Sequence, residues 1–496
     1  MDPDRPGAGG LTEAIMKRLR RARLWLIPGL LAGAGVLLSA LNAMNPARAE
    51  PDAVPAAIGG MVGESGYDLP PMGHIAVYRP AGLPIGVVLA LSDSRGWDRG
   101  SGDFARRLAA RGAMVAGIST PIFLRALQAS RRCVNPNYGI IDLARDLQHR
   151  WKLPMYSKPV LIGRGEGAAL AYAALATGPN GAYKAVLSQG FAPVLNGARP
   201  WCKSGSLKLT GYGRPYRGFA FAPSRQLPSP WIVLTDSGRH PMRPAALRRF
   251  VGRTGSGRLV TAAAGQRDAA LLGQIQPFLA PPPVSADAAL PVGLPVTVVT
   301  DPAAPHSDMM AVIYSGDGGW VGLDKDVAGQ LAHAGIPVVG MDSLSYFWSR
   351  RTPQGAAVDL SAIIRGYSQH WRRPRVLLIG YSFGADVLPY IVGSLPPPLR
   401  AKVERLSLLG LSSSADFQFH LSSWFNMDGS PQYPTVPAIA RLRGVPILCV
   451  RGTLENDSAC PSIPQGLAET VVVPGGHHFD RNAPLLVNHM LKGLRI

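Results

Sequence analysis

Acidic residues and cysteines are scarce: 31 Asp and Glu stand against 51 Lys and Arg, and only four cysteines occur in 496 residues. Charged residues reach only 17% while hydrophobic ones make up 47%, which excludes a chain disordered along its length, because a large core can be buried. Apart from the pair His477-His478, no His/Cys cluster has metal-ligand spacing, so no metal or cofactor is expected. The glycine-rich loop Ser315-Gly316-Asp317-Gly318-Gly319-Trp320 lacks a Gly-Lys-[Ser/Thr] ending, which excludes a phosphate-binding loop. The net charge of +20 is spread as diffuse arginine without a basic-aromatic stripe. That spread argues against nucleic acid as a partner.

What is present begins with the first 49 residues. Lys17, Arg18, Arg20, Arg21 and Arg23 precede the apolar run Leu24 to Met44, and Ala47-Arg48-Ala49 supplies the small-x-small pattern of a cleavage site. Residues 1–49 are therefore expected to be a signal peptide cut after Ala49, with an uncleaved membrane anchor as the rival, since the run is long enough to cross a bilayer. Either way the bulk lies outside the cytoplasm, and the periplasm is the expected location. There the positive charge meets an anionic membrane surface. An oxidising compartment also suits the cysteines: one disulfide per half, Cys133 with Cys202 and Cys449 with Cys460, is the simplest pairing. The alternative is that Cys449, in the apolar run Val445 to Val450, is only a small buried side chain.

The length leaves room for two domains, and an internal repeat supplies them. Ile85 to Leu91 with Ser92-Asp93-Ser94-Arg95-Gly96-Trp97 parallels Met310 to Tyr314 with Ser315 to Trp320. Met114 to Ile118 matches Pro337 to Met341, and Val160 to Gly163 matches Val376 to Gly380, in the same order. Segments of helical periodicity, Phe104 to Arg111 and Lys325 to Ala334, lie between such runs. Strand-helix alternation implies α/β architecture: two tandem α/β domains with mainly parallel sheets, related by duplication. The expected bounds are 70–279 for the first, 280–294 for a Pro/Ala-rich linker and 295–496 for the second.

The chemistry concentrates in the second half. Gly380-Tyr381-Ser382-Phe383-Gly384 follows the strand Val376 to Ile379 and precedes the helix-like Ala385 to Val392. Such glycines permit the sharp turn that lifts a serine hydroxyl off the sheet, and the next amide, that of Phe383, faces the oxyanion. The alternative is a plain tight turn. Acid and histidine are expected downstream in that order. Asp457 and Glu455 follow the strand Pro446 to Val450, with Asp457 slightly preferred; His477 and His478 follow Val471 to Val473, with His477 preferred. The Ser315 to Trp320 loop is placed to give a second oxyanion amide, at Gly316. In the first half, Gly163-Arg164-Gly165-Glu166-Gly167 has Gly165 where the nucleophile would stand, and Gly265-Gln266-Arg267-Asp268 has no histidine. That half cannot run the reaction.

The second half resembles the VirJ/AcvB family of exported bacterial α/β-hydrolases. The resemblance rests on Tyr314 to Trp320, on Asp342-Ser343-Leu344 with Tyr346-Phe347-Trp348, on Gly380 to Pro389 and on Gly475-Gly476-His477-His478-Phe479; the duplicated length is similar to the longer, AcvB-like members. It implies a periplasmic hydrolase of aminoacyl-phosphatidylglycerol, lysyl or alanyl, with Ser382 as nucleophile and His477 or His478 as base. Asp317 and Asp386 fall in the matching strings, and one of them is a candidate receiver of the substrate's ammonium group. The competing role for both is to hold nearby backbone. The aromatics Trp320, Tyr346, Phe347, Trp348, Phe417, Phe419 and Trp424 are candidates for a lipid-facing mouth, against ordinary core packing. From a different class comes the reading of a virulence or type IV secretion accessory protein, with secretion-system partners and the fold as a binding platform. A generic carboxylesterase or peptidase is a third.

Overall fold

Apolar runs bounded by glycine or proline form the central strands, and their alternate side chains feed two opposite cores. A computed structural model describes residues 63–129, 133–202, 206–213, 217–236, 241–279, 293–419 and 433–495. Residues 1–49, expected to be a signal peptide or membrane anchor, residues 280–292 of the expected linker, and Trp424 lie outside the described residues. In β3 (Gly86–Leu91), Val87, Leu89 and Leu91 join one buried cluster, whereas Val88 and Ala90 join another. In β13 (Met309–Tyr314) the same division separates Met310, Val312 and Tyr314 from Met309, Ala311 and Ile313. Strands buried on both faces read as continuous apolar runs, as parallel strands covered by helices do. Each fully buried Leu, Val or Ile contributes about 1.5–3 kcal/mol.

The first half pairs β1 (Gly63–Leu69), β2 (Gly73–Arg79), β3, β4 (Ala113–Ile118), β5 (Val160–Arg164) and β6 (Ala185–Gln189) with β10 (Trp231–Asp236) and β11 (Gly257–Ala262). Their spatial order is β1-β2-β4-β3-β5-β6-β10-β11. β2 runs antiparallel to β1 and β4, and the pairs from β4 to β11 are parallel. β1 precedes residue 70, where the apolar patterning alone would start the domain. A small antiparallel sheet of β7 (Val194–Asn196), β8 (Leu209–Tyr212) and β9 (Gly218–Phe221) sits in the excursion between β6 and β10.

The second half repeats this plan. β12 (Val296–Val299) is antiparallel to β14 (Val338–Met341), followed in space by β13, β15 (Arg375–Tyr381), β16 (Val403–Leu409), β19 (Ile447–Gly452) and β20 (Glu469–Val473), all parallel. β17 (Ser414–Ala415) and β18 (Tyr433–Pro434) form a short ladder beside it. This order, with one reversed strand near the edge and helices on both faces, is the α/β-hydrolase arrangement, present twice. Both copies fall within one compact unit of the chain.

Both expected disulfides are formed, Cys133–Cys202 and Cys449–Cys460. Cys449 is fully buried, but as half of a bridge, so the reading of it as only a small buried side chain does not hold. The second bridge closes the loop after β19. Among the described residues no helix is long and apolar enough to cross a membrane.

Candidate active site

β15 ends in the turn that carries Ser382, whose φ of 52° and ψ of −121° start the helix Phe383–Gly393. A positive φ is rare for serine and is tolerated where surrounding contacts fix it. Here the Ser382 amide donates to Leu409 O at 2.8 Å, and its carbonyl accepts the amides of Ala385 and Asp386. Gly384 lets the helix pass close to β13: a Cβ there would lie 2.1 Å from Tyr314 O. The Phe383 amide belongs to the first helical turn, where amides have no acceptor within the helix.

His477, in the loop after β20, places Nε2 2.9 Å from Ser382 Oγ and Nδ1 2.6 Å from Glu455 Oε1. Glu455 is 5% exposed, and its other oxygen accepts the Gly452 amide at 3.1 Å. Burial raises the Glu455 pKa, but the hydrogen bonds from His477 and Gly452 outweigh it and leave the group below the ordinary value. His477 is shifted up, first by its bond to Glu455, with burial opposing. Carboxylate, imidazole and hydroxyl thus stand in one hydrogen-bonded line. Gly410 makes room for it, because a Cβ there would come within 3.0 Å of His477 Nδ1 and 3.2 Å of Glu455 Oε1.

The slight preference for Asp457 as the acid is corrected to Glu455. The turn after β19, with the Glu455 amide on Gly452 O and the Leu454 amide on Gly475 O, folds Glu455 back over the strand end. Asp457 is left exposed two residues further on, raising the His477 pKa only through space. His478 is not the histidine on Ser382: its Nδ1 pairs with Tyr381 Oη at 2.5 Å, and burial lowers its pKa. Gly316 stands beside the nucleophile, since a Cβ there would be 3.5 Å from Ser382 Cβ.

Of the two carboxylates considered for an ammonium group, Asp386 is committed elsewhere. It is 8% exposed, accepts the Ser412 amide at 2.7 Å, and burial pushes its pKa up to about 8. That is the backbone-holding role. Asp317 is half-buried and close enough to raise the pKa of both His477 and His478. The six described aromatics weighed between a lipid mouth and core packing are buried, none more than 5% exposed, which is the core-packing outcome. Trp320 packs over Gly340, where a Cβ would meet the ring at 2.1 Å, and Trp348 and Phe419 share a cluster with Tyr156 and Leu344. Among the described residues no group of three His, Cys, Asp or Glu is arranged to hold a metal ion.

Tyr381, Asp342 and Asp324 also shape the site and were not singled out by motif. Asp342 accepts the amides of Trp320 and Ser345 at 3.2 and 3.0 Å, fixing the loop beside Ser382. Its place in the string Asp342-Ser343-Leu344 was the available signal. Asp324 is 3% exposed, with burial and then Asp342 driving its pKa well up. Nothing in its sequence context marks it.

This constellation at the elbow after the central strand is a serine-hydrolase-type site on an α/β-hydrolase fold. Residues 308–496 match the model of the VirJ family, described as bacterial virulence protein. Similar solved structures include an α/β serine hydrolase homologue from Coxiella burnetii, at 18% identity over 40% of this chain and 91% of that one, TM-score 0.30. Est1E from Butyrivibrio proteoclasticus is 14% identical over 40% of this chain and 93% of its own, TM-score 0.31. A dienelactone hydrolase from Anabaena variabilis ATCC 29413 is 15% identical over 44% and 96%, TM-score 0.31. A comparison with curated proteins gave no match.

Proposed function

We propose that the chain is a serine esterase whose nucleophile is Ser382. The observation that carries this reading is the unbroken line Glu455–His477–Ser382, at 2.6 and 2.9 Å. His477 Nε2 takes the proton from Oγ as the hydroxyl attacks an ester carbonyl, and Glu455 holds the Nδ1–H and stabilises the imidazolium. Negative charge on the tetrahedral oxygen develops toward the Phe383 amide and the Gly316 loop. His477 then protonates the departing alcohol, and water releases the acyl group by the same steps in reverse.

The substrate proposed is the aminoacyl ester of phosphatidylglycerol, lysyl or alanyl, met at the anionic periplasmic membrane surface. Two observations support a cationic acyl group: Asp317 and Asp457 both act on His477 through space, giving a negative field beside the serine of a strongly basic chain. The disulfides and the basic-apolar leader pattern support the location. The direct test presents lysyl- and alanyl-phosphatidylglycerol vesicles and 4-nitrophenyl acetate to the purified chain and to Ser382→Ala. Retained hydrolysis by the variant defeats the mechanism; brisk cleavage of the simple ester with no lipid turnover defeats the substrate. The family's virulence description favours, as a second reading, a secretion accessory role, which predicts no turnover of either.

A further inference from the structure

The first half has Gly165 at the nucleophile's place and no histidine in its loop Gly265 to Asp268, yet it reaches the loop bordering Ser382. Lys158, just ahead of β5, places Nζ 3.4 Å from Asp342 Oδ2, with both side chains 16% exposed. That same oxygen accepts the Trp320 amide, and the other caps the helix Ser343–Tyr346. Within the loop, the Gly319 amide donates to Gly316 O at 3.0 Å, and Gly316 lies against Ser382. A continuous path thus runs from the ammonium of one half to the nucleophile of the other.

A second contact comes from a turn of the first half: a Cβ at Gly181 would fall 2.0 Å from Val321 Cγ1 and 3.5 Å from Lys158 Nζ. Around these, Ser345 Oγ donates to Tyr156 O at 3.0 Å, Ser349 Oγ to Pro154 O at 2.9 Å, and the His149 ring stacks on Trp348 at 3.8 Å. Lys158 also acts on the buried Asp324, so one cation faces two carboxyl groups under the loop. Removing one partner of such a pair leaves the other's charge uncompensated, at far greater cost than at an exposed site.

We propose, resting on the esterase reading of this site, that Lys158 is a positioning residue and the first half an intramolecular buttress: through Asp342 it holds the Ser315–Trp320 loop where its amides meet the oxyanion. This gives the degenerate copy a function in the reaction it cannot perform. Because one oxyanion donor is worth about 10²–10³ in rate and small misplacements cost up to about 10², loosening the loop acts on kcat.

The test uses the full chain with Lys158→Met, Lys158→Arg and Ser382→Ala, measuring kcat and KM on 4-nitrophenyl acetate, fluorophosphonate labelling rate, and Tm. Lys158→Met is expected to lose about 10- to 100-fold in kcat with KM within about 2-fold, to label more slowly in parallel, and to stay folded with a lowered Tm, while Lys158→Arg recovers most of both losses. A kcat within about 2-fold of the parent, or a loss that Arg fails to restore, overturns the buttress. If Lys158→Met does not fold, Gly181→Ala, which presses a methyl onto Val321, must lower kcat in the same way; unchanged kcat there overturns the proposal. A Ser382→Ala chain that still turns over overturns the esterase reading itself, whereas an inactive Ser382→Ala beside an unchanged Lys158→Met removes only the buttress.

Discussion

The two halves keep the same turn and differ in what stands on it. Gly165 has φ 53° and ψ −117°, and Ser382 has φ 52° and ψ −121°. The amide of each donates to the end of the next strand, Gln189 O at 2.9 Å and Leu409 O at 2.8 Å. In each half the Trp after the first loop packs on a strand glycine, Trp97 on Gly117 and Trp320 on Gly340. Even the clasp across the sheet top is shared in form. Arg164 pairs with Asp268 at 2.8 Å in the first half, where Tyr381 pairs with His478 in the second. The elbow backbone is thus a property of the fold, and the chemistry is a separate addition of three side chains.

The largest effect should come from moving the serine between halves. Ser382→Ala is expected to lose about 10³-fold or more in ester hydrolysis, and adding Gly165→Ser to that variant should restore nothing, because among the described residues no imidazole reaches that elbow. Recovery of steady-state turnover in the double variant would break the comparison. Next is the acid: Glu455→Gln should cost about 10²- to 10⁴-fold in kcat and Asp457→Asn less than about 3-fold. The reverse ranking would return the role to Asp457.

The pH profile is a finer probe. His477 works as a neutral base and its pKa is raised, so kcat/KM should fall on acidification with a midpoint above the ordinary imidazole value of about 6.5. Glu455→Gln removes the main cause of that shift and should move the limb downward. The smallest effect is expected at the clasp: Tyr381→Phe loses the bond to His478 and should cost only about 2- to 5-fold in kcat, as one neutral hydrogen bond beside the site. A loss near that of His477→Ala would make His478 part of the machinery.

Much of this was legible in sequence because periodicity reports burial. β3, β4, β13, β14 and β15 are each apolar on both faces, and such runs mark themselves. The elbow was readable from its strand-turn-helix setting, and His477 from its spacing to Phe479. The choice between Glu455 and Asp457 was not, since both sit in one turn and its bonds to Gly452 and, through Leu454, to Gly475 decide which faces inward. The aromatics were undecided in sequence for a related reason: Tyr346, Phe347 and Trp348 pack wholly inside, and composition does not tell a mouth from a core. Lys158 and Asp342 meet only through the tertiary fold, so no local pattern announces them.

The central claim is that one elbow of two carries the reaction. A fluorophosphonate applied to the full chain, followed by mass spectrometry of its peptides, tests it most directly. A single adduct on Ser382, slowed strongly by His477→Ala, is the predicted result; an intact, folded chain that takes no adduct, or takes it at another serine, contradicts the account.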